Sequence, residues 1–323
     1  MTDILVVTKM PPAVMQALEE AFTVHKLFEA DDKNAFLVGV GSKIQGVATN
    51  GHTGCPPEIM NKIPKLEIIS SFGVGYDAID TEDCRSRGIT VTNTPDVLND
   101  AMAETTMALV LALCRKIPQA DAYVRAGRWE KEGNFPLTSE LTGRTMGIIG
   151  LGRIGKEVAK RAQAFKMQVI YHGRSHQVHE PYPHYKSLVE MAKACDWLVS
   201  IVPGGEATKH LINKEVLDAL GPEGYLVNVG RGPSVDEPAL IEALENGTIR
   251  AAGLDVFEKE PHVPERLKAL PNTVLLPHVG SASRHTRAEM GKLVVGNLVE
   301  WFSGRAPVTP VSESVEAGIA RKG

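Results

Sequence analysis

The stretch "GIIGLGRIGKEVAKRAQAFKMQVIYHGRS", residues 147–175, decides the fold. An apolar run enters Gly150-Leu151-Gly152-Arg153-Ile154-Gly155, a helical pattern follows, and a second apolar run, "MQVIYH", comes next. Strand, glycine turn, helix and strand in that order are the layout of a dinucleotide-binding βαβ unit. Gly150 permits the tight turn, Gly152 lets the backbone approach a pyrophosphate, and Gly155 lets the helix pack closely on the strand. The N–H groups where the helix starts, at Arg153 and Ile154, bring partial positive charge to the phosphates.

Such a unit usually ends its second strand on an Asp or Glu, about 20 residues on, which holds the adenine ribose 2′-hydroxyl. Here the place reads His172-Gly173-Arg174-Ser175, and no acidic residue occurs between Glu157 and Glu180. A carboxylate would repel a 2′-phosphate, whereas a guanidinium pairs with it bidentately. Gly173, Arg174 and Ser175 therefore point to NADP(H) rather than NAD(H). The competing reading is a solvated loop arginine in an NAD protein that has lost its acid.

The rest of the chain fits this frame. Its 323 residues suffice for two domains with separate cores. With 43% hydrophobic and 23% charged residues it has an ordinary globular composition. A formal charge of −4 gives no basic field for nucleic acid. Cys55, Cys84, Cys114 and Cys195 are scattered, with no CxxC pair, so neither a disulfide framework nor a zinc site is expected. "MTDILVV" reads as a first strand rather than a signal peptide. The apolar run Met107 to Cys114 is too short to span a bilayer. These features predict a soluble, cytoplasmic protein.

Short β-rich runs alternate with helical segments along nearly the whole length: "ILVV", "VHKLF", "IQGVAT", "LEIISSF" and "ITVTN", then from residue 144 "RTMGIIG", "MQVIYH", "DWLVSIV", "YLVNVG", "IRAAGLDV" and "TVLLPHV". Non-alternating apolar strands joined by helices indicate parallel sheets covered on both faces. The fold class is α/β, with two doubly wound parallel-sheet domains. A long helix is predicted over 98–117 and a last helix over 284–304, with Gly304 as its stop. The polar tail after Pro310 is expected to be disordered.

Three charged residues follow late strands, where open parallel sheets place their ligand crevice. Arg231 follows "YLVNVG", Glu260 lies in "GLDVFEKEP", and His278 follows "TVLLP". Together they suit carbonyl reduction: His donates a proton, Glu orients and charges it, and Arg holds a carboxylate and polarises a ketone.

With "SFGVGYDAID" (71–80), "GIIGLGRIG" (147–155), "VNVGRG" (227–232), "GLDVFEKEP" (253–261) and "PHVGSAS" (277–283), the chain resembles the D-isomer-specific 2-hydroxyacid dehydrogenase family over almost its full length. Within that family it is most similar to the NADPH-dependent glyoxylate/hydroxypyruvate reductases. The resemblance implies a flavodoxin-like substrate domain (1–99 plus 286–323, closed by the returning last helix) and a Rossmann cofactor domain (100–285). It implies that Arg231 binds substrate, that Glu260 pairs with the catalytic histidine, and that His278 is the proton donor. It places the substrate carboxylate on backbone N–H groups around Val74, Gly75 and Tyr76. Thr106, Val202, Pro203, Thr208, Val229, Gly230, Asp255 and Gly280 match cofactor-contact positions. Gly230 stands where many relatives have alanine, which predicts a looser turn at Arg231.

The implied activity is reduction of a small 2-oxo acid such as glyoxylate or hydroxypyruvate, in a homodimer without nucleic-acid or membrane partners. Alternatives are a hydroxyphenylpyruvate reductase, an NAD-linked D-2-hydroxyacid dehydrogenase, and, outside enzymes, a dinucleotide-sensing corepressor-like protein, which turnover would separate. His172, His176, His179 and His184 lie close together in a presumed Pro/Gly loop. Without a Cys or a partnered acid they do not make a metal site. Trp129 and Phe135 suit a substrate pocket, a subunit interface or a core contact equally.

Overall fold

The structure is a computed structural model, and residues 1–321 are described. The chain forms two compact units, one of Met1–Leu98 with the segment from Ala282 onward, the other of Asn99–Ser281.

In the first unit, β1 (Asp3–Val6), β2 (Thr23–Lys26), β3 (Ile44–Asn50), β4 (Ile68–Phe72) and β5 (Thr90–Thr92) form a parallel sheet in the order β2-β1-β3-β4-β5. That is the flavodoxin-like order. Ile4, Leu5, Ile44, Val47, Ile68 and Ile69 are fully buried. Neighbours on a strand point to opposite faces, so burial of Ile4 with Leu5 means both faces are covered. The absence of polar alternation in these strands follows.

The helix Arg284–Phe302 returns to this sheet, where Ser70 Oγ on β4 donates to the Val294 carbonyl. Its first turn is capped by Ser283, whose Oγ accepts from Thr286 N. It stops before Gly304, at a φ of 81° that favours glycine. The tail from Val311 to Arg321 is ordered, contrary to its polar composition; the last two residues of that expectation lie outside the described residues. Ser312–Glu316 is helical, Val311 N bonds the Val91 carbonyl on β5, and Thr90 Oγ1 donates to the carbonyl of Ile319. Polar composition misled because the tail's backbone groups are satisfied by the open edge of β5.

The second unit contains β6 (Thr145–Ile149), β7 (Gln168–His172), β8 (His184–Tyr185), β9 (Trp197–Ser200), β10 (Tyr225–Asn228), β11 (Ala251–Leu254) and β12 (Thr273–Leu275). They form one parallel sheet in the order β12-β11-β10-β9-β6-β7-β8. Strand order reverses between β6 and β9, which is the switch point where a doubly wound sheet opens its ligand crevice. The predicted strands all form; β8 was not predicted, because a two-residue edge strand has no period to read.

The helix expected over 98–117 is Asn99–Arg115, and a separate helix, Ile117–Arg125, starts after Lys116, whose φ of 50° breaks the run. The long helix buries Ala103, Met107, Leu109, Val110 and Leu113 among Met146, Ile148, Val199 and Val227 of the sheet. On the described residues, no helix is long and apolar enough to cross a membrane.

Candidate active site

The register of the second sheet assembles the charged residues. Asn228, Leu254 and Leu275 are cross-strand partners at the C-terminal ends of β10, β11 and β12. Arg231 lies three residues beyond the first and His278 three beyond the last, while Glu260 lies on the loop after β11. All three thus follow the C-terminal ends of adjacent strands.

His278 Nδ1 lies 2.7 Å from Glu260 Oε2. An ionised carboxylate only accepts, so the ring donates from Nδ1. The His278 side chain is 44% exposed and that of Glu260 only 13%, so the acid backs the ring while the ring faces outward. The other Glu260 oxygen, Oε1, accepts from Phe257 N at 3.0 Å, which fixes the carboxylate. Glu237, 9% exposed, extends the brace by accepting from Glu258 N, and burial pushes its own carboxyl up.

His278 has a φ of 54°. A side-chain-bearing residue in the left-handed region costs roughly 1–2 kcal/mol. The next two residues hold it there, because Val279 N and Gly280 N donate to Asp255 Oδ1 and Oδ2 at 2.7 and 2.8 Å. Asp255 is 1% exposed, and burial pushes its carboxyl up against the pull of those two N–H groups. Both oxygens of Asp255, expected at the cofactor, thus serve the loop that carries His278. Gly280 fits there because a Cβ would come within 2.6 Å of Met102 Sδ.

The turn at Arg231 is tied, not loose. Asn228 Oδ1 accepts from Gly230 N, its Nδ2 donates to the Arg231 carbonyl, and Ser234 Oγ donates to the same carbonyl. A Cβ at Gly230 would lie 2.6 Å from the Val202 carbonyl oxygen. The glycine brings the end of β10 against Ile201 and Val202, which corrects the expectation drawn from the missing methyl. Thr208 Oγ1 donates to the Pro203 carbonyl, and Thr106 Oγ1 to Met102 inside its own helix.

The glycine turn is tight and open on one side. Gly150 has a φ of 96°, and a Cβ at Gly155 would meet the Gly150 carbonyl at 2.3 Å. A Cβ at Gly152 would meet nothing within 4 Å, so the chain approaches open space there. Gly152 precedes the helix Arg153–Ala164, whose N-terminus has no side-chain cap. An anion fits such an uncapped end. Beyond β7, Arg174 and Ser175 are exposed. Glu180, the next carboxylate along the chain, is paired with Lys156 at 2.8 Å.

In the first unit, the Val74–Tyr76 loop is held from below. Asn93 Nδ2 donates to the Val74 carbonyl, Thr94 Oγ1 accepts from Gly73 N, and Tyr76 Oη donates to the Glu313 carboxylate. A Cβ at Gly51 would collide with the Gly75 carbonyl at 1.8 Å. Sequence reasoning missed Asn93, Thr94, Glu237 and Asn228, which act through backbone groups, and Glu313, which acts through the Tyr76 phenol.

Phe135 packs edge-on against buried Tyr123, with ring centroids 5.3 Å apart, while Trp129 is 62% exposed.

The family described as D-isomer specific 2-hydroxyacid dehydrogenase, NAD binding domain, matches residues 107–280. The chain is 47% identical over 308 residues to the hydroxyphenylpyruvate reductase of Plectranthus scutellarioides, covering 95% of this chain and 98% of that one. It is 45% identical to a glyoxylate/hydroxypyruvate reductase A of Arabidopsis thaliana, again covering 95% and 98%. A solved NADPH-dependent glyoxylate/hydroxypyruvate reductase from Sinorhizobium meliloti, in complex with NADP and malonate, superposes with a TM-score of 0.93. It is 46% identical, and the match covers 100% of this chain and 99% of that one.

Proposed function

Because this chain belongs to the D-isomer-specific 2-hydroxyacid dehydrogenase family, we propose that it reduces small 2-oxo acids, glyoxylate and hydroxypyruvate, to 2-hydroxy acids with NADPH. The observation that carries the reading is the 2.7 Å bond between His278 and Glu260, at the end of the sheet that also bears the glycine turn and Arg174.

NADPH, when bound, supplies the hydride for the carbonyl carbon. Gly150, Gly152 and Gly155, with the N–H groups at Arg153 and Ile154, would hold its pyrophosphate. Arg174 and Ser175, following Gly173, would hold the 2′-phosphate. By family likeness Val202, Pro203, Thr208, Val229, Gly230 and Gly280 would line the same cofactor, while the buried Thr106 and Asp255 would act from behind, Asp255 through the His278 loop that it holds. The Arg231 guanidinium holds the substrate carboxylate and polarises the ketone. His278 Nε2 delivers the proton to the developing alkoxide. Glu260 keeps the ring oriented through Nδ1 and offsets the charge of the imidazolium.

The chain also presents Ile117, Val124, Trp129 and Leu137 at 51%, 56%, 62% and 98% exposure. Large apolar side chains in one segment suit a homodimer interface. All four cysteines are free and buried, which suits a reducing cytoplasm.

The test is turnover of glyoxylate, hydroxypyruvate and 4-hydroxyphenylpyruvate with NADPH and NADH separately. A best rate with the third acid would favour the second reading, hydroxyphenylpyruvate reduction, which the 47% identical relative supports. Binding of NADPH without turnover of any acid would leave the sensor reading instead.

A further inference from the structure

The histidines of 172–184 are not idle, and the loop they were read into is partly sheet. His172 ends β7, and His184 opens β8 beside Tyr171. The two strands are laced by ring nitrogens. His172 Nδ1 lies 2.9 Å from the Tyr185 carbonyl, and His184 Nε2 lies 3.2 Å from the Gly173 carbonyl. A carbonyl accepts only, so each ring donates at that nitrogen.

The His184 ring also packs on two others. Its centroid is 4.9 Å from that of Tyr171, and 5.6 Å from that of His176 with the planes 14° apart. Gln177 closes the far end, its N donating to Tyr171 Oη and its Nε2 to the Leu151 carbonyl in the glycine turn, each at 2.7 Å. Tethers therefore sit at Gly173, His176 and Gln177, and the two residues between them are Arg174 and Ser175.

We propose that His184 is a positioning residue for coenzyme selectivity, holding the Gly173–Gln177 segment so that Arg174 and Ser175 are set for a 2′-phosphate. The proposal rests on the assignment of that phosphate to Arg174. An exposed arginine on a free loop must be ordered on binding, and the ordering weakens affinity. A hydrogen bond to the Gly173 carbonyl and a ring stacked on His176 lower the backbone part of that cost. NAD(H) lacks the 2′-phosphate, so its binding does not draw on this order.

The experiment is equilibrium titration of the full chain with NADP⁺ and with NAD⁺, joined to KM for NADPH and NADH, for wild type, His184→Ala, His184→Gln and Arg174→Ala. His184→Ala should weaken NADP⁺ by about fivefold and leave NAD⁺ within about twofold. His184→Gln, which retains a donor toward Gly173, should recover part of the loss. Equal weakening toward both coenzymes, an unchanged NADP⁺ affinity, or a Gln variant no better than Ala would overturn the proposal. If Arg174→Ala also leaves NADP⁺ untouched, the phosphate assignment itself falls. If only Arg174→Ala weakens it, that assignment stands and the role of His184 alone is wrong.

Discussion

His278 Nδ1 and Glu260 Oε2 stand 2.7 Å apart, with the acid 13% and the ring 44% exposed. In the proposed function the acid orients and the ring reacts. Replacing His278 with Ala should lower kcat for glyoxylate reduction by roughly 10²–10⁴-fold, the usual contribution of a general acid. Glu260→Gln retains an acceptor for Nδ1 but not the charge, so its kcat should fall between wild type and His278→Ala. NADPH affinity by titration should survive both changes. An affinity loss that matched the rate loss would mean that these residues hold the cofactor instead.

Arg174 should discriminate between coenzymes. Charge-assisted hydrogen bonds contribute on the order of 1.5–3 kcal/mol, so Arg174→Ala should reduce the NADPH preference by about tenfold or more. Kinetics with NADH should hardly move. Equal losses with both coenzymes would contradict the assignment.

Gly230→Ala tests the tied turn. The added methyl would sit 2.6 Å from the Val202 carbonyl oxygen and 2.9 Å from Val202 N, both backbone atoms. Overpacking of this kind costs about 1–3 kcal/mol. We expect a lower Tm, together with a higher KM for the 2-oxo acid as the Arg231 turn shifts. An unchanged Tm would mean that the β9 end yields freely.

The thiols predict behaviour in alkali. Burial pushes Cys55, Cys84 and Cys195 up to about 12 from an ordinary value of 9.0. The folded chain therefore keeps these protons where the unfolded chain has lost them. Their effect on stability is flat below about pH 9, and stability declines as pH rises from there toward 12. Denaturant midpoints measured across that range should fall, and Cys195→Ala should flatten the slope. Alkylation of the native protein at pH 8 should be slow, since only the thiolate attacks. Rapid labelling would refute the burial argument.

How much of this could be read in the sequence depended on whether a residue acts through its side-chain chemistry or through its neighbours' backbone. The paired sheets were legible because strands buried on both faces, such as Ile68 and Ile69, leave an unbroken apolar run. Arg231, Glu260 and His278 were legible because each charged side chain stands just past such a run. Asn228 and Asp255 were not legible as braces, since their work is to hold N–H and C=O groups brought near by folding. The ordered tail escaped for the same reason, because its partners lie on β5, more than two hundred residues earlier. His184 was hidden by its two-residue strand.

The most direct measurement of the central claim is kcat/KM for glyoxylate and hydroxypyruvate reduction with NADPH and with NADH on the wild-type chain, repeated on Arg174→Ala and His278→Ala. The account predicts turnover of both acids and a clear preference for NADPH. It further predicts that the first variant loses the preference and the second loses the rate. A wild-type preference for NADH, or full turnover by His278→Ala with chemistry rate-limiting, would contradict it.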